Sequence, residues 1–242
     1  MCAQSAVPVE GRRRFSPYAD APRLPPGEGL GIAQILAAPS SPAASSPAAL
    51  SSEAPSSEAL ASELELEIGP GRGGFLYERL AQGPEIKIVG LEIRLKWASL
   101  VDQRLRELGL AERGRVFAED IRFALPRFAA GSVSRVFVHF PDPWWKKRHA
   151  KRRLASGGVA SEFARLLRPG GELFVQTDVW DTAEAYRLAI EAQPEFAPFG
   201  DEPTSPRLLE NPYGARSPRE RRVIASGLPV VRLRYRRLDA LP

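Results

Sequence analysis

The chain of 242 residues contains one cysteine, one methionine and two histidines. A single thiol, Cys2, forms no disulfide within the chain, which suits a reducing compartment. His139 and His149 with one remote cysteine give no zinc-ligand spacing, and we interpret His139 as a strand residue rather than a ligand or base. We therefore predict no metal site and a cytoplasmic protein.

Long apolar runs are missing as well. No stretch of the sequence approaches the roughly 18 residues that cross a bilayer, and no apolar segment follows the basic GRRRF near the start. We therefore expect no membrane span and no secretory signal. The sequence also contains neither G-x-S-x-G nor a P-loop, so it lacks the signatures of serine hydrolases and P-loop NTPases.

Positive charge is in moderate excess, with 34 Lys and Arg against 29 Asp and Glu, a net charge of +5 and a pI near 9.6. Such a balance favours a polyanionic partner without deciding it. Nine arginines and two acids fall within residues 207–237. Arginine without lysine points to phosphate or base-edge contacts, although a charged surface is the simpler interpretation.

Composition divides the chain into three parts. In residues 33–62, 23 of 30 positions are Ala, Ser or Pro and none is Lys or Arg, which predicts a disordered linker with, at most, a short Ala-rich helix around Ile35. Residues 1–32 form a basic, Pro-rich arm, either a disordered tail or a segment that folds onto a partner or the domain. Residues 63–242 form the domain itself.

Strands and helices alternate in the domain. Strands are predicted at 64–69, 87–93, 115–120, 133–140 and 171–177, and helices at 75–82, 94–109, 160–169 and 181–193. This alternation predicts a doubly wound, mostly parallel α/β sheet, in which ligands bind at the carboxyl ends of the strands. A last helix follows, with Ser217 as N-cap, Pro218 as first residue, Glu220 as capping-box partner and Gly227 at its end, before a final strand.

The first strand runs into a glycine loop, LELEIGPGRGGF, and then directly into a helix. Gly69, Gly71 and Gly74 fit G-x-G-x-x-G, the dinucleotide pattern, whereas Gly69, Gly71 and Gly73 fit G-x-G-x-G after the acid Glu67, which is typical of S-adenosylmethionine (SAM) sites. A tight turn after a buried strand is the alternative. The loop predicts a nucleotide-type cofactor.

Acids close the next two strands. Glu92 is placed to accept hydrogen bonds from both ribose hydroxyls of an adenosine, as in NAD sites, and Asp120 to receive an adenine amino group. A lone acid at a strand end is usually just solvated. Together with Glu67, these residues place three acids at successive strand ends, and this pattern predicts a ligand site.

The fourth strand leads into PDPWWKKRHAKRR. Prolines on both sides of Asp142 restrict the backbone and fix one carboxylate at the ligand edge. Trp144 either stacks on a base or packs the loop. The basic run is a solvated helix face in most proteins, but here its position beside the site favours phosphate contacts, from Lys147, Arg148, Lys151, Arg152 and Arg153. Asp178, after the fifth strand, is placed to hold a substrate amine.

Together these motifs resemble the bacterial tRNA (guanine-N7-)-methyltransferase family. FPDPWWKKRHAKRR is similar to its signature F-P-D-P-W-x-K-x-R-H-x-K-R-R, and EIGPGRGGF to its E-I-G-x-G-x-G-x-F, with the likeness covering about residues 63–238. The resemblance implies a class I methyltransferase (Rossmann-like) fold, SAM as cofactor, tRNA as partner, and methylation of a guanine N7 in the variable loop, position forty-six by convention. No obligate protein partner is implied.

The resemblance also implies roles for individual residues. Glu67, Glu92, Asp120 and Asp142 match cofactor-contacting acids, and Asp142 the residue given a catalytic role. Lys146 and Asp178 match substrate-binding positions. SPRE aligns with a T-x-x-E segment of the family, which extends substrate binding to Ser217, Arg219 and Glu220; Pro218 and Arg219 depart from the residues found in some members.

Three alternatives stay open at this point. One is a class I methyltransferase for a different RNA or a small molecule, although the basic run disfavours the latter. Another is an NAD-dependent oxidoreductase, which the G-x-G-x-x-G spacing permits but for which neither a second domain nor a catalytic Tyr-Lys pair is evident. The last is an RNA-binding module without catalysis, which the acids at three strand ends disfavour.

Overall fold

The computed structural model describes residues 17–39, 64–141 and 157–239. Asp142, Trp144 and the basic run from Lys146 to Arg153 lie outside the described residues, and so does most of the predicted linker. Where the chain is described, no helix is long and apolar enough to cross a membrane.

One eight-stranded sheet organises the domain. Its strands are Leu64–Ile68 (β1), Lys87–Leu91 (β2), Gly114–Phe117 (β3), Val133–His139 (β4), Leu167–Thr177 (β5), Phe196–Pro198 (β6), Arg207–Leu208 (β7) and Val231–Arg237 (β8). They follow the order β3-β2-β1-β4-β5-β8-β6, with β7 also paired to β8. Strands β1 to β5 are parallel to one another, whereas β8 runs antiparallel to β5, β6 and β7. The order reverses between β1 and β4, and their carboxyl ends therefore mark the expected ligand edge.

Helices cover both faces of the sheet. They are Ile32–Leu36 (α1), Gly74–Leu80 (α2), Leu95–Glu107 (α3), Ile121–Ala124 (α4), Gly157–Leu166 (α5), Trp180–Glu191 (α6) and Pro218–Ala225 (α7), and a 3₁₀ turn, Leu125–Arg127, follows α4. Residues of α2 and α3 form one apolar cluster with the sheet, and residues of α1, α4, α5 and α6 form the other. The predicted doubly wound α/β fold is confirmed.

The central strand β1 is buried along its whole length although it contains two glutamates. Glu65 lies between two arginines, with Oε1 2.8 Å from Arg79 Nη2 and 2.9 Å from Arg135 Nη1. These partners offset the cost of removing the carboxylate from water. Among the described residues, no arginine pairs with Glu67. Its partner is His139, in the site described below.

Several bounds differ from the sequence prediction. The helix expected at 160–169 ends at Leu166, because the following residues already pair with β4 as the start of β5. The short elements α4, β6 and β7 were not predicted, since elements of two to four residues have no periodicity to detect.

The largest difference concerns the segment before the domain. Residues 17–39 pack on it. This agrees with the alternative in which the arm folds onto the domain, and it differs from a linker that begins at residue 33. Ile35 in α1 is fully buried with Leu24 and Leu30 in the same cluster. The Ala118 N–H donates to the Pro22 carbonyl at 2.7 Å. The apolar contacts at only a few positions outweigh the Ala- and Pro-rich composition.

Candidate functional site

A cavity of about 470 Å³ opens at the carboxyl ends of the first four strands. Its lining includes Gly69, Glu92, Asp120, His139 and Phe140, each of which ends or closely follows a strand. The volume falls within the range of small-molecule and cofactor sites. The structure thus brings together predicted residues from three separate strand ends.

The glycine loop shapes one wall of this cavity. Gly69, Gly71 and Gly73 have φ angles of 72°, 56° and 75°, in the left-handed region that favours glycine. Gly73 is the N-cap of α2, and a Cβ there would lie 2.6 Å from Val101 Cγ1. The three glycines of the G-x-G-x-G spacing are therefore the ones that adopt the left-handed backbone conformation.

Gly74 serves a different purpose. Its φ angle is not positive, but a Cβ at this position would lie 2.6 Å from Pro218 Cδ. Its small size thus allows the first residue of α7 to pack against the first residue of α2. This contact places α7 beside the glycine loop, an arrangement that the G-x-G-x-x-G pattern did not predict.

Glu92 is buried, and its carboxylate is held by the backbone. Oε2 accepts from Gly71 N–H at 3.0 Å, and Oε1 accepts from Arg94 N–H at 2.9 Å. The Arg94 guanidinium also donates to both oxygens, at 2.9 and 3.2 Å. Because the Arg94 side chain is 61% exposed, it can leave the carboxylate at low cost, and the ribose hydroxyls would then take its place. Arg94 was not predicted as a site residue, although it follows Glu92 by two positions in the sequence.

Glu67 and His139 form a buried polar pair beneath the cavity. His139 Nδ1 lies 3.1 Å from Glu67 Oε1, and the imidazole packs edge-on against Phe75 with ring centroids 4.2 Å apart. Glu67 Oε2 and His139 Nε2 are buried without a hydrogen-bond partner among the described residues. Buried polar atoms are normally satisfied, so these two fit a polar group of a bound ligand. His139 is thus a strand residue, as expected, and lines the cavity as well.

Asp120 lies just past β3 and caps α4. Its Oδ1 accepts from the Arg122 N–H at 3.0 Å, and the carboxylate pairs with the Arg122 guanidinium. The hydrogen bond that the Arg122 guanidinium donates to Asp120 raises the pKa of Arg122. The carboxylate remains half-buried at the cavity wall, where an adenine amino group could reach it.

The chain leaves β4 through a strained residue. Phe140 has a φ of 46°, which is uncommon for a bulky side chain and is a feature that clusters at functional sites. Its N–H donates to the Gln176 carbonyl at 2.7 Å, which anchors the turn to β5. Pro141 then lines the cavity. The predicted catalytic Asp142 follows directly in sequence and lies outside the described residues.

Two of the predicted substrate-binding residues meet at this edge. Arg219 Nη2 donates to both oxygens of Asp178 at 3.0 Å, and the Arg219 guanidinium lies 5.5 Å from the ring centroid of Phe140. The start of α7 is therefore tied to the end of β5 and to the cavity. Asp178 is half-buried, and its charge is compensated by Arg219.

Ser217 and Glu220 point elsewhere. The Ser217 hydroxyl accepts from Glu220 N–H at 3.1 Å, which confirms the predicted N-cap. The reciprocal capping-box bond does not form, because the fully buried Glu220 carboxylate binds Arg232, Gln176 and Asn211 instead. Glu220 thus lies behind the site and fixes the position of α7.

The remaining residues of the site fit SAM. Glu92 would hold the ribose and Asp120 the adenine. Within the described residues, no group of three or more His, Cys, Asp and Glu side chains could hold a metal ion.

Comparisons with known proteins agree with this geometry. Residues 61–233 match the family described as putative methyltransferase. A tRNA (guanine-N(7)-)-methyltransferase of Myxococcus xanthus is 39% identical over 172 residues, covering 71% of this chain and 82% of the relative. One from Anaeromyxobacter dehalogenans is 42% identical over 173 residues, covering 71% and 84%.

Solved structures show the same fold at low sequence identity. The 16S rRNA methyltransferase KamB aligns with a TM-score of 0.50 at 15% identity, covering 75% of this chain and 92% of that one. A geranyl diphosphate C-methyltransferase from Streptomyces coelicolor A3(2) aligns with a TM-score of 0.50 at 16% identity, covering 74% and 70%.

The sheet order and the acids around the glycine-lined cavity define a class I, SAM-dependent methyltransferase. This class uses one methyl donor for many substrates, so the fold leaves the acceptor open. The two bacterial relatives narrow it: the chain belongs to the tRNA (guanine-N(7)-)-methyltransferase family.

Proposed function

We propose that this enzyme transfers a methyl group from SAM to N7 of a guanine in tRNA and that the target lies in the variable loop, at position forty-six by convention. The main support is that Glu92 and Asp120 line one cavity together with Gly69, while the PDPWWKKRHAKRR motif follows β4 in sequence. The names of the relatives supply the acceptor. We place the reaction in the cytoplasm and propose no obligate protein partner.

The reaction needs positioning more than acid–base chemistry. SAM supplies a methyl group on a sulfonium; the N7 lone pair bonds to that carbon, and the electrons of the broken C–S bond stay on sulfur. Guanine N7 carries no proton, so the protein needs no strong base. Its contribution is orientation and electrostatic stabilisation of the charge that develops on the guanine ring.

We assign the guanine contact to Asp142. Its carboxylate would accept hydrogen bonds from guanine N1–H and the exocyclic amino group, which orients N7 and offsets the developing charge. Lys146 and the cations after it, Lys147, Arg148, Lys151, Arg152 and Arg153, would hold phosphates of the tRNA. Trp144 would stack on the base once it leaves its own stack, a contact worth about 1–3 kcal/mol.

The start of α7 would complete the substrate side. Arg219 is half-exposed at the cavity edge and holds Asp178, so we assign these two to direct substrate contact. Ser217 and Glu220 contribute by positioning: one caps α7 and the other anchors it to β8. Substrate binding at Ser217 and Glu220 is thus proposed to be indirect.

The test is methyl transfer from labelled SAM to unmodified tRNA, followed by aniline cleavage to map 7-methylguanosine. We expect one cleavage site, in the variable loop, and none in a tRNA with adenine at that position. Asp142→Ala should lose turnover far more than SAM affinity. A protein that binds SAM yet leaves tRNA unlabelled would point to another RNA or a small molecule, and label at a different guanine would refute the position.

A further inference from the structure

An exposed tryptophan stands at the active edge of the sheet, outside the cavity. Trp180 is the first residue of α6 and remains 57% exposed. The guanidinium of Arg207, the first residue of β7, lies over its ring at 4.5 Å from the centroid. Arginine stacked on tryptophan is a favourable pair, and it leaves a flat, cationic, aromatic surface.

A line of contacts connects this pair to the cavity. Phe140 lines the cavity, Arg219 lies over the Phe140 ring, and Asp178 binds Arg219 at 3.0 Å. Trp180 follows Asp178 by two residues. The pair therefore stands next to the proposed substrate contacts, on the strand-end side of the sheet.

The local charges favour a base over a phosphate as the occupant. Asp181 is exposed directly after Trp180, and Glu184 lies one turn further along α6, where it is paired with Arg187. The exposed Asp181 carboxylate would repel a phosphate, whereas the charge of Glu184 is offset by Arg187. The face of a nucleobase is uncharged and stacks on aromatic rings and on guanidinium planes alike.

We propose that Trp180 and Arg207 form a stacking platform for an unpaired nucleotide of the substrate RNA, one that flanks the methylated guanine. The proposal rests on the proposed function, because it takes tRNA as the substrate. A guanine that leaves its stack also exposes the faces of its neighbours, and a platform beside the site keeps such a neighbour from restacking. The platform thus holds the displaced strand while the guanine occupies the cavity edge.

Substitution of Trp180 tests the platform. Trp180→Ala should raise the KM for tRNA about 5- to 150-fold, because the variant loses the stacking of one base on the ring. The SAM affinity measured by calorimetry should stay at the wild-type value. Trp180→Phe should keep most of the affinity for tRNA. Leu188→Ala is the matched control, because Leu188 lies on the same helix and is also 57% exposed. It should not change KM.

Abasic tRNAs locate the stacked nucleotide. A set of transcripts, each with one abasic position beside the target guanine, is assayed with the wild-type enzyme and with Trp180→Ala. One abasic transcript should raise the wild-type KM and cause no further loss in the variant, because both changes remove the same contact.

Five results separate the explanations. A wild-type KM in Trp180→Ala, or an equal change in Leu188→Ala, overturns the platform while tRNA methylation stands. Independent, additive losses in every abasic transcript overturn it too, and so does a parallel loss of SAM affinity, which would indicate a structural role. A wild-type enzyme that binds SAM without methylating tRNA overturns the proposed function and the platform with it.

Discussion

Replacing Glu220 by alanine tests whether this carboxylate positions α7 or contacts the substrate. Its Oε1 lies 3.1 Å from Arg232 Nη2, and Gln176 and Asn211 donate to Oε2 at 3.1 and 3.0 Å. Removing one partner of a buried ion pair costs about 3–5 kcal/mol, because the other charge stays buried without compensation. We expect Glu220→Ala to lose about that much free energy of unfolding, a large share of the ~5–15 kcal/mol of a typical domain.

Urea denaturation with linear extrapolation measures this loss. Glu210→Ala is the control, since Glu210 is an exposed carboxylate nearby and its removal should change the free energy of unfolding by less than about 0.5 kcal/mol. If Glu220→Ala unfolded like the wild type and nevertheless lost methylation, the carboxylate would be contacting the substrate and our explanation would be wrong.

A double variant sharpens the distinction. Apolar residues of similar volume often replace a buried ion pair without loss of stability, so Glu220→Leu with Arg232→Met should recover part of the free energy of unfolding. The amides of Gln176 and Asn211 still lose their acceptor, which limits the recovery. Because α7 would then regain its position against Gly74, methylation of tRNA should return as well. A stable double variant that binds SAM but stays inactive would falsify the positioning role.

Three further changes test other parts of the structure. Ile35→Ala should cost about 2–5 kcal/mol of unfolding free energy in urea denaturation, whereas Leu209→Ala, at 85% exposure, should stay within about 0.5 kcal/mol; equal midpoints would mean that residues 17–39 do not pack as described. Arg94→Ala should leave SAM affinity unchanged or raise it up to about fivefold in calorimetry, since an exposed pair is worth at most ~1 kcal/mol; a tenfold loss would instead make Arg94 a cofactor ligand. The hydrogen bond from Arg221 lowers the pKa of Glu78 below its usual 4.5, so this pair stabilises the fold above that pH and ceases to do so as the pH falls through the lowered pKa. Denaturation at pH 7 and pH 3 should therefore show a small deficit, under ~1 kcal/mol, for Arg221→Ala at pH 7 that becomes smaller at pH 3; a deficit independent of pH would contradict the assignment.

Much of the sheet was predictable because local signals and the tertiary structure agree. Strand β2 and most of β4 are apolar, β1 alternates leucine or isoleucine with glutamate, and parallel packing buries all three strands. Their observed bounds fall within two residues of the predicted ones. The N-cap of α7 was predictable from Ser217 and Pro218, because capping depends only on residues within the first turn of the helix. The convergence of Glu67, Glu92 and Asp120 followed from the parallel order.

What could not be predicted depends on contacts between distant parts of the chain. The S-x-x-E pattern of α7 permits a capping box, but Arg232 in β8 captures Glu220. Composition concealed the packing of α1, since one fully buried isoleucine outweighs the Ala- and Pro-rich residues around it. The stacking of Arg207 on Trp180 joins residues 27 positions apart in sequence, and no local pattern pairs the two.

The acidic and basic side chains at the active edge of the sheet are arranged in pairs. Three carboxylates there pair with arginines, in the pairs Glu92–Arg94, Asp120–Arg122 and Asp178–Arg219. In each pair the carboxylate is the more buried partner and the arginine the more exposed one. A row of unpaired carboxylates would repel a polyanion, and the pairing removes that repulsion. Because the guanidinium groups reach solvent, each can turn from its carboxylate to a phosphate while the carboxylate takes up a hydroxyl or amino group. The same edge can thus be acidic toward the cofactor and basic toward the RNA.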